Sequence, residues 1–571
     1  MRDQAAAGQV LSLFVQRVGL NPAAANSVTA VCAEMGSERS SRAAYMHDIL
    51  VRRASVIDGT GAPAFTADVA VSGDRIAAIG DLTSSGADLV VDADDLTLAP
   101  GFIDCHSHSD LELLVDPLAR PKVAQGVTTE VVCNCGWGPF PARGEQALEA
   151  MASLLPTSAP KAARHLFDSL RDYRRKLQER APAVNVAALI PHGPVRLTVV
   201  GSEDRAATSS EIRAMQELVA EGVGHGGIGL SLGLLYAPGC FTPAEEIASL
   251  AAALSDPRRL VFHVRNECDR FEESVREAIA IGRQAGAQVH ISHLKVADPE
   301  HWGRVGAALR HIEEADRRGE RVTCDQYPYT AGSGPLQTLL PPWSLAGGTA
   351  RLLGRLRDST ARKRMYAAFA GEEVLPGWDN LSRRIGWDRI AVGHAPGAEH
   401  CEGKDLKTIG EDLGRPPWDA LVELLAASRG AAVGIYHHMC EEDVRTVMTH
   451  PAQMVGSDGL PVPGKPHPRL WGTFPRVLGH YSRQLGLLSL EDAVRKMTGK
   501  TAEVFGLRSR GILRPDYCAD LCVFDAARVI DAASYEDPTR PPHGIVHVIC
   551  NGLPTMLHGE RTRHRPGRWL S

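Results

Sequence analysis

GFIDCHSHSD, residues 101–110, closes an apolar run and then sets two histidines one residue apart. Residues i and i+2 of an extended chain face the same way. His106 and His108 therefore point together, and one small ion could touch both. A pair of surface-loop histidines gives the same pattern, so the stretch has to be judged by what surrounds it.

Similar apolar runs recur between about residues 98 and 500: LAPGFIDCHSH, GVTTEVVCNCG, VNVAALIPHG, GIGLSLGLLY, LVFHVRNE, AQVHISHLK, RVTCDQYPY and MVGSDG. Helical patterns lie between them, for example FEESVREAIAIGRQAG before the sixth run and EDVRTVMTHPA before the eighth. Nearly continuous apolar strands mean that both sheet faces are covered. Eight of them alternating with helices predict an α/β fold, a TIM-type (β/α)8 barrel over 98–504. A doubly wound open sheet is the alternative, but no Gly-rich phosphate turn follows the first strand. The stretch after the seventh run is too long for one crossover, so a helical insertion or lid is expected within about 331–393.

The flanks read differently. Short strands and SGD or DGTG turns fill 46–97, and a similar texture returns in ADLCVFDAARVI and GIVHVICNG. Residues 46–97 plus 505–571 are expected to form one small β-sandwich domain from both chain ends. Residues 1–45, rich in Ala and Ser, resemble neither part; an extension packed on the surface and a start codon placed too early are equally expected.

Composition narrows the function. The 571 residues are 44% hydrophobic and 23% charged, with a net charge of −6 from 62 basic and 68 acidic groups spread along the chain. No basic block points to nucleic acid. No apolar run reaches the length of a membrane span, and the first residues lack a cleavage signal, so a cytoplasmic location is expected. Many of the twelve cysteines sit in apolar segments, as reduced thiols do.

In a barrel the chemistry lies at the C-terminal ends of the strands. There the first strand offers His106 and His108, the second Cys135, the fifth His263, the sixth His293 and the eighth Asp458. Each alone has a dull explanation: a buried thiol, a satisfied core histidine, a helix-capping aspartate. Six such groups at one relative position on five strands are hard to assign to packing. Imidazoles, a thiolate and a carboxylate suit a borderline ion, Zn²⁺ above all.

Together these motifs resemble the amidohydrolase superfamily and, within it, the N-acyl-D-amino-acid deacylases (D-aminoacylases). PGFIDCHSHSD carries the superfamily likeness. GVTTEVVCNCG, GLSLGLLYAPG, FHVRNECDR, VHISHLK, DQYPYTAGSG, VGSDGLP, HPRLWGTFPRVL and the terminal HRPGRWL carry the finer one. The resemblance implies that Cys135, His263 and His293 hold a tight Zn²⁺, while His106, His108 and Asp458 form a second, weaker site. Cys133 also lies beside the expected ligand; alternation would keep it on the face of Cys135, and the NCG context favours Cys135. Asp458 would be the general base and acid. Lys295 and Arg469 would bind the α-carboxylate of a small N-acyl amino acid, with Tyr236, Tyr327 and Ser333 lining the pocket. His192, His394, His437 and His438 also fall near strand ends, in support of ligands or in contact with substrate. A cyclic amidase of the hydantoinase type expects a bridging lysine at the fourth strand, and GIGLSLGLLYAPG has none. A non-catalytic barrel homologue would be expected to lose ligands first, and all six are present.

Overall fold

The computed structural model describes residues 46–571 except 145–146, 149–150, 152–154, 156–165, 374 and 376–377; the extension over 1–45 thus lies outside the described residues. The chain enters through Met46–Val56 (β1), Phe65–Ser72 (β2), Arg75–Gly80 (β3), Gly86–Asp92 (β4) and Thr97–Pro100 (β5). A bulge between Val51 and Ala54 divides β1. Its first half pairs with β4 as well as β2, and its end pairs with β5.

The barrel follows: Phe102–Asp104 (β6), Val127–Val132 (β7), Asn185–Ala188 (β8) continuing as Ile190–Pro191 (β9), Leu230–Gly233 (β10), Arg259–His263 (β11), Gln288–Ile291 (β12) and Val322–Gln326 (β13). Three strands, Gly332–Pro335 (β14), Ile390–His394 (β15) and Val433–Tyr436 (β16), precede the last barrel strand, Gln453–Val455 (β17). All barrel pairings are parallel. The third strand breaks at Leu189: its N–H donates back to Val132, whereas that of Ile190 donates forward to Gly229. The ring closes where Ser107 bridges Gly459 and the Asp458 N–H donates to the His106 carbonyl at 2.7 Å.

The helices cover the strands as their periodicity requires. The helix Phe271–Ala285 buries Phe271, Val275, Ala278, Ile279 and Gly282 on one stripe, and ends at Gly286 with φ +60°, where glycine meets no Cβ penalty. The expected helical insertion is mixed. Helices Gly348–Arg357, Ser359–Ala370 and Pro417–Ala427 pack with the antiparallel sheet β14-β16-β15 around a separate apolar core that includes Leu336, Leu352, Ile390, Leu421 and Leu425. Strand β16 lies beyond 393, so the inserted structure continues well past the expected span.

The C-terminal strands Leu521–Phe524 (β18), Ile545–Cys550 (β19), Leu553–Leu557 (β20) and Glu560–Arg561 (β21) join the sheet of β1 through an antiparallel β5–β18 pair. Nine strands from both ends thus enclose a core of residues such as Val51, Val69, Leu98, Leu521 and Ile549. The last strand, Trp569–Leu570 (β22), leaves this sheet and pairs in parallel with Val186 and Ala187 of the barrel. Beneath the barrel the side chains of Asn185, Asp520, Asn551 and Arg510 hydrogen-bond one another, tying the two units together. No described helix is long and apolar enough to cross a membrane.

Candidate metal centre

The six expected donors meet at the C-terminal mouth of the barrel. Cys135 Sγ lies 3.3 Å from His106 Nε2 and 3.4 Å from His293 Nε2. Asp458 Oδ1 lies 3.1 Å from His108 Nε2 and 3.5 Å from His106 Nε2. The His263 and His293 rings are 4.4 Å apart. Two donor groups, His106–His108–Cys135–Asp458 and Cys135–His263–His293, each have their ligand atoms within 4.8 Å of one another, and Cys135 belongs to both. All six residues are buried.

Backbone conformation and packing on β10 explain the position of the thiol. Strand β7 ends at Val132, and Cys133 and Cys135 then adopt left-handed backbone (φ +65° and +53°). Alternation is lost at that point, so the expectation that both cysteines share a face does not hold. Cys133 packs in the barrel core and donates its N–H to Asp110, while Cys135 turns into the mouth. The NCG turn lies directly on β10. A Cβ at Gly233 would fall 2.1 Å from the Cys135 carbonyl oxygen, and one at Gly136 would fall 2.5 Å from the Gly233 nitrogen. Ser231 Oγ donates to the Cys133 carbonyl and accepts from the Gly136 N–H. His293 and Asp458 are also left-handed (φ +36° and +47°). Such conformations cost about 1–2 kcal/mol each in non-glycine residues, and four of them at one site mark where packing overrules local preference.

The two acidic groups of the cluster are held in their ionised forms. Burial alone would push the Cys135 thiol up, but His106 and His293 beside it bring it well below the usual thiol value. Burial would likewise raise the Asp458 carboxyl, and Arg469 and the histidines more than offset it. His263 has no hydrogen-bond partner on either ring nitrogen among the described residues, although buried nitrogens normally have one. Donor chemistry and orphaned imidazole together fit a zinc ion. His106 is oriented from behind, its Nδ1 lying 3.1 Å from Asp325 Oδ2, which also meets His290 Nε2 at 2.9 Å. A third donor group, Cys105–His290–Asp325, is therefore already engaged in this internal contact.

The other expected residues line or border a cavity of about 260 Å³ between this mouth and the insertion. Lys295 is not a free cation: its Nζ donates to Glu267 Oε1 at 2.6 Å and lies 2.9 Å from His293 Nδ1. Arg469 is fully buried, with Nη1 2.9 Å from Asp458 Oδ2, Nη2 donating to the Ser333 carbonyl and the guanidinium 4.4 Å above the Tyr327 ring. Burial pushes the Tyr327 phenol up to about 12 although Lys295 and Arg469 oppose it, so it stays a neutral donor. Tyr236 packs 4.7 Å from the His263 ring. Ser333 Oγ donates to the Gly434 carbonyl.

Three acids were not singled out from sequence. Glu267 sits in RNECDR and looks like loop charge, Asp325 is a carboxyl inside an apolar strand (a legible signal), and Asp379 lies in the insertion with no motif around it. His394 and His438 line the cavity, His192 is buried outside its lining, and the ring of His437 packs on Tyr535.

Comparison with known proteins agrees with this geometry. D-aminoacylase of Alcaligenes xylosoxydans xylosoxydans is 38% identical over 525 residues, covering 92% of this chain and 97% of that protein. A solved D-aminoacylase, whose binuclear metal centre has been described in terms of one-metal activation and second-metal attenuation, superposes with a TM-score of 0.77 at 36% identity, covering 92% of this chain and all of the other. An N-acyl-D-glutamate deacylase from Bordetella bronchiseptica, complexed with zinc and a phosphonate mimic of the tetrahedral intermediate, gives 0.78 at 36% identity, covering 92% and 99%. The sequence profile of the amidohydrolase family matches residues 89–556. The chain therefore belongs to the amidohydrolase family, in the branch of the D-aminoacylases.

Proposed function

We propose that this protein hydrolyses the amide bond of N-acyl-D-amino acids, releasing a carboxylate and a free D-amino acid. The observation that carries the reading is the gathering of Cys135, His263, His293, His106, His108 and Asp458 into two adjoining donor groups that share Cys135 at the barrel mouth, in a chain whose relatives are named for deacylation of such compounds. Cys135, His263 and His293 would hold the tight zinc ion; His106, His108 and Asp458, with Cys135 shared, would make the weaker site. A zinc ion in the tight site would polarise the scissile carbonyl and lower the pKa of a water toward about 7.

The remaining chemistry belongs to the side chains. Asp458, held ionised by Arg469, takes the proton of the attacking water at Oδ1, the oxygen that faces the histidines. It then hands that proton to the leaving nitrogen, which an amide needs because its anion is a very poor leaving group. Lys295 and Arg469 would bind the α-carboxylate, with the neutral Tyr327, whose ring carries the Arg469 guanidinium, beside them. The insertion contributes residues such as Leu345 and Leu352 to the cavity wall. The fourth strand carries Leu-Ser-Leu-Gly and no lysine, which supports linear amides over cyclic ones. The free cysteines of the described chain fit a cytoplasmic enzyme.

The test is a panel of N-acetyl and N-succinyl D- and L-amino acids, with and without chelator. Turnover of D substrates that chelator abolishes and zinc restores is expected. Preference for L substrates, or activity indifferent to chelator, refutes the proposal.

A further inference from the structure

His438 follows β16 in the insertion and lines the cavity, yet the mechanism above leaves it without a task. It is 4% exposed, and neither ring nitrogen has a hydrogen-bond partner among the described residues. The ring is nevertheless held. Its backbone carbonyl accepts from the Trp302 indole N–H at 3.0 Å, and the ring stacks on Tyr436 with centroids 6.0 Å apart and planes 21° apart. Its surroundings have been cleared as well. A Cβ at Gly332 would lie 2.8 Å from His438 Nε2 and 3.2 Å from Tyr327 Oη, so glycine at 332 leaves these two polar atoms uncovered on one wall. The next residue, Ser333, receives Arg469 Nη2 on its carbonyl. A fixed, buried imidazole with both nitrogens idle is a costly arrangement unless something binds there.

The charges nearby indicate what binds. Each cation of the subsite already has its own acid: Lys295 has Glu267 and Arg469 has Asp458. The four groups sum to no net charge, so an entering carboxylate relies on uncharged donors to complete its hydrogen bonds. Burial and the neighbouring Lys295 push His438 down to about 3, so its ring is neutral, with one N–H to give. We propose that His438 is a substrate-contact residue, donating from its ring to the α-carboxylate of the N-acyl amino acid beside Lys295 and Arg469. This assignment rests on the reaction proposed above.

The experiment compares wild type, His438→Phe and His438→Gln in the zinc-loaded enzyme. Each is assayed with the N-acyl-D-amino acid turned over fastest and with its α-carboxamide, as substrate or competitive inhibitor. His438→Phe should lose about 10- to 100-fold in kcat/KM on the carboxylate, mainly through KM, the range expected for a hydrogen bond to a charged group. On the carboxamide the loss should stay below about 3-fold, zinc content should be unchanged, and Gln should restore most of the loss. If His438→Phe fails to fold, Gly332→Ala, which crowds Nε2, should show the same carboxylate-selective loss. Equal losses on both compounds, or none, overturn the assignment alone. A wild-type enzyme that hydrolyses no N-acyl amino acid overturns the reaction and the assignment with it.

Discussion

Lys122 offers a test of how the metal cluster is held in place. Its ammonium, 1% exposed, donates to Asp104 and to Ser457 Oγ (2.9 Å) and lies 3.4 Å from Glu130 Oε2. Burial would discharge the amine, but Asp104 and Glu130 reverse that and hold it charged. The same Asp104 accepts from the N–H groups of His106 (3.2 Å) and Ser457 (2.8 Å), so the triad sets the backbone beside two of the candidate ligands. Lys122→Met keeps the volume and removes the charge, leaving two fully buried carboxylates with no cation. An exposed pair would matter by at most about 1 kcal/mol; removing one partner of a buried pair costs about 3–5 kcal/mol. We expect that loss in urea unfolding of the metal-free protein followed by tryptophan fluorescence, and lower occupancy of the weaker metal site by elemental analysis. The loss should shrink toward pH 5, because one carboxyl of the variant takes up a proton that the unfolded chain binds less tightly. Adding Asp104→Asn and Glu130→Gln should recover more than half of it. A destabilisation below about 1 kcal/mol, with both metals retained, would refute the reasoning.

Three further outcomes are expected. Cys135→Ala should lose the tightly bound zinc by elemental analysis, and full retention would remove Cys135 as a ligand. Asp458→Asn should keep the tight-site metal while kcat falls by about 10²- to 10⁴-fold; near-normal kcat would place the proton shuttle elsewhere. Asp379 is buried on the cavity wall, and burial with Glu267 nearby pushes its carboxyl up to about 8. The native state then holds a proton that the unfolded chain has lost, so between about pH 4 and 8 this group lowers stability by about 1.4 kcal/mol for each unit of rising pH. Asp379→Asn should flatten that slope in thermal melts across the range, and an unchanged slope would show that Asp379 is ionised throughout.

The barrel and its candidate donors were legible in sequence because they obey local rules. A strand buried on both faces must be apolar along its length, and helices on its flanks must repeat every 3.6 residues, so β6 to β13 and β17 announce themselves. Barrel chemistry gathers at strand ends, which made His106, Cys135, His263, His293 and Asp458 candidates together although none of them stood out singly. Pairings between distant, individually ordinary residues were not legible. Alternation placed Cys133 and Cys135 on one face, and the left-handed turn on β10 separated them. Lys295 could be named as a partner for the α-carboxylate, but its ion pair with Glu267, from another strand's loop, leaves no local signal. The insertion read as helical because short antiparallel strands such as Gly332–Pro335 carry little periodic signal. Local sequence thus determined which groups could serve and at which end of the barrel. Only the tertiary structure decided which atoms meet, because burial and partner charge depend on neighbours far away in the chain.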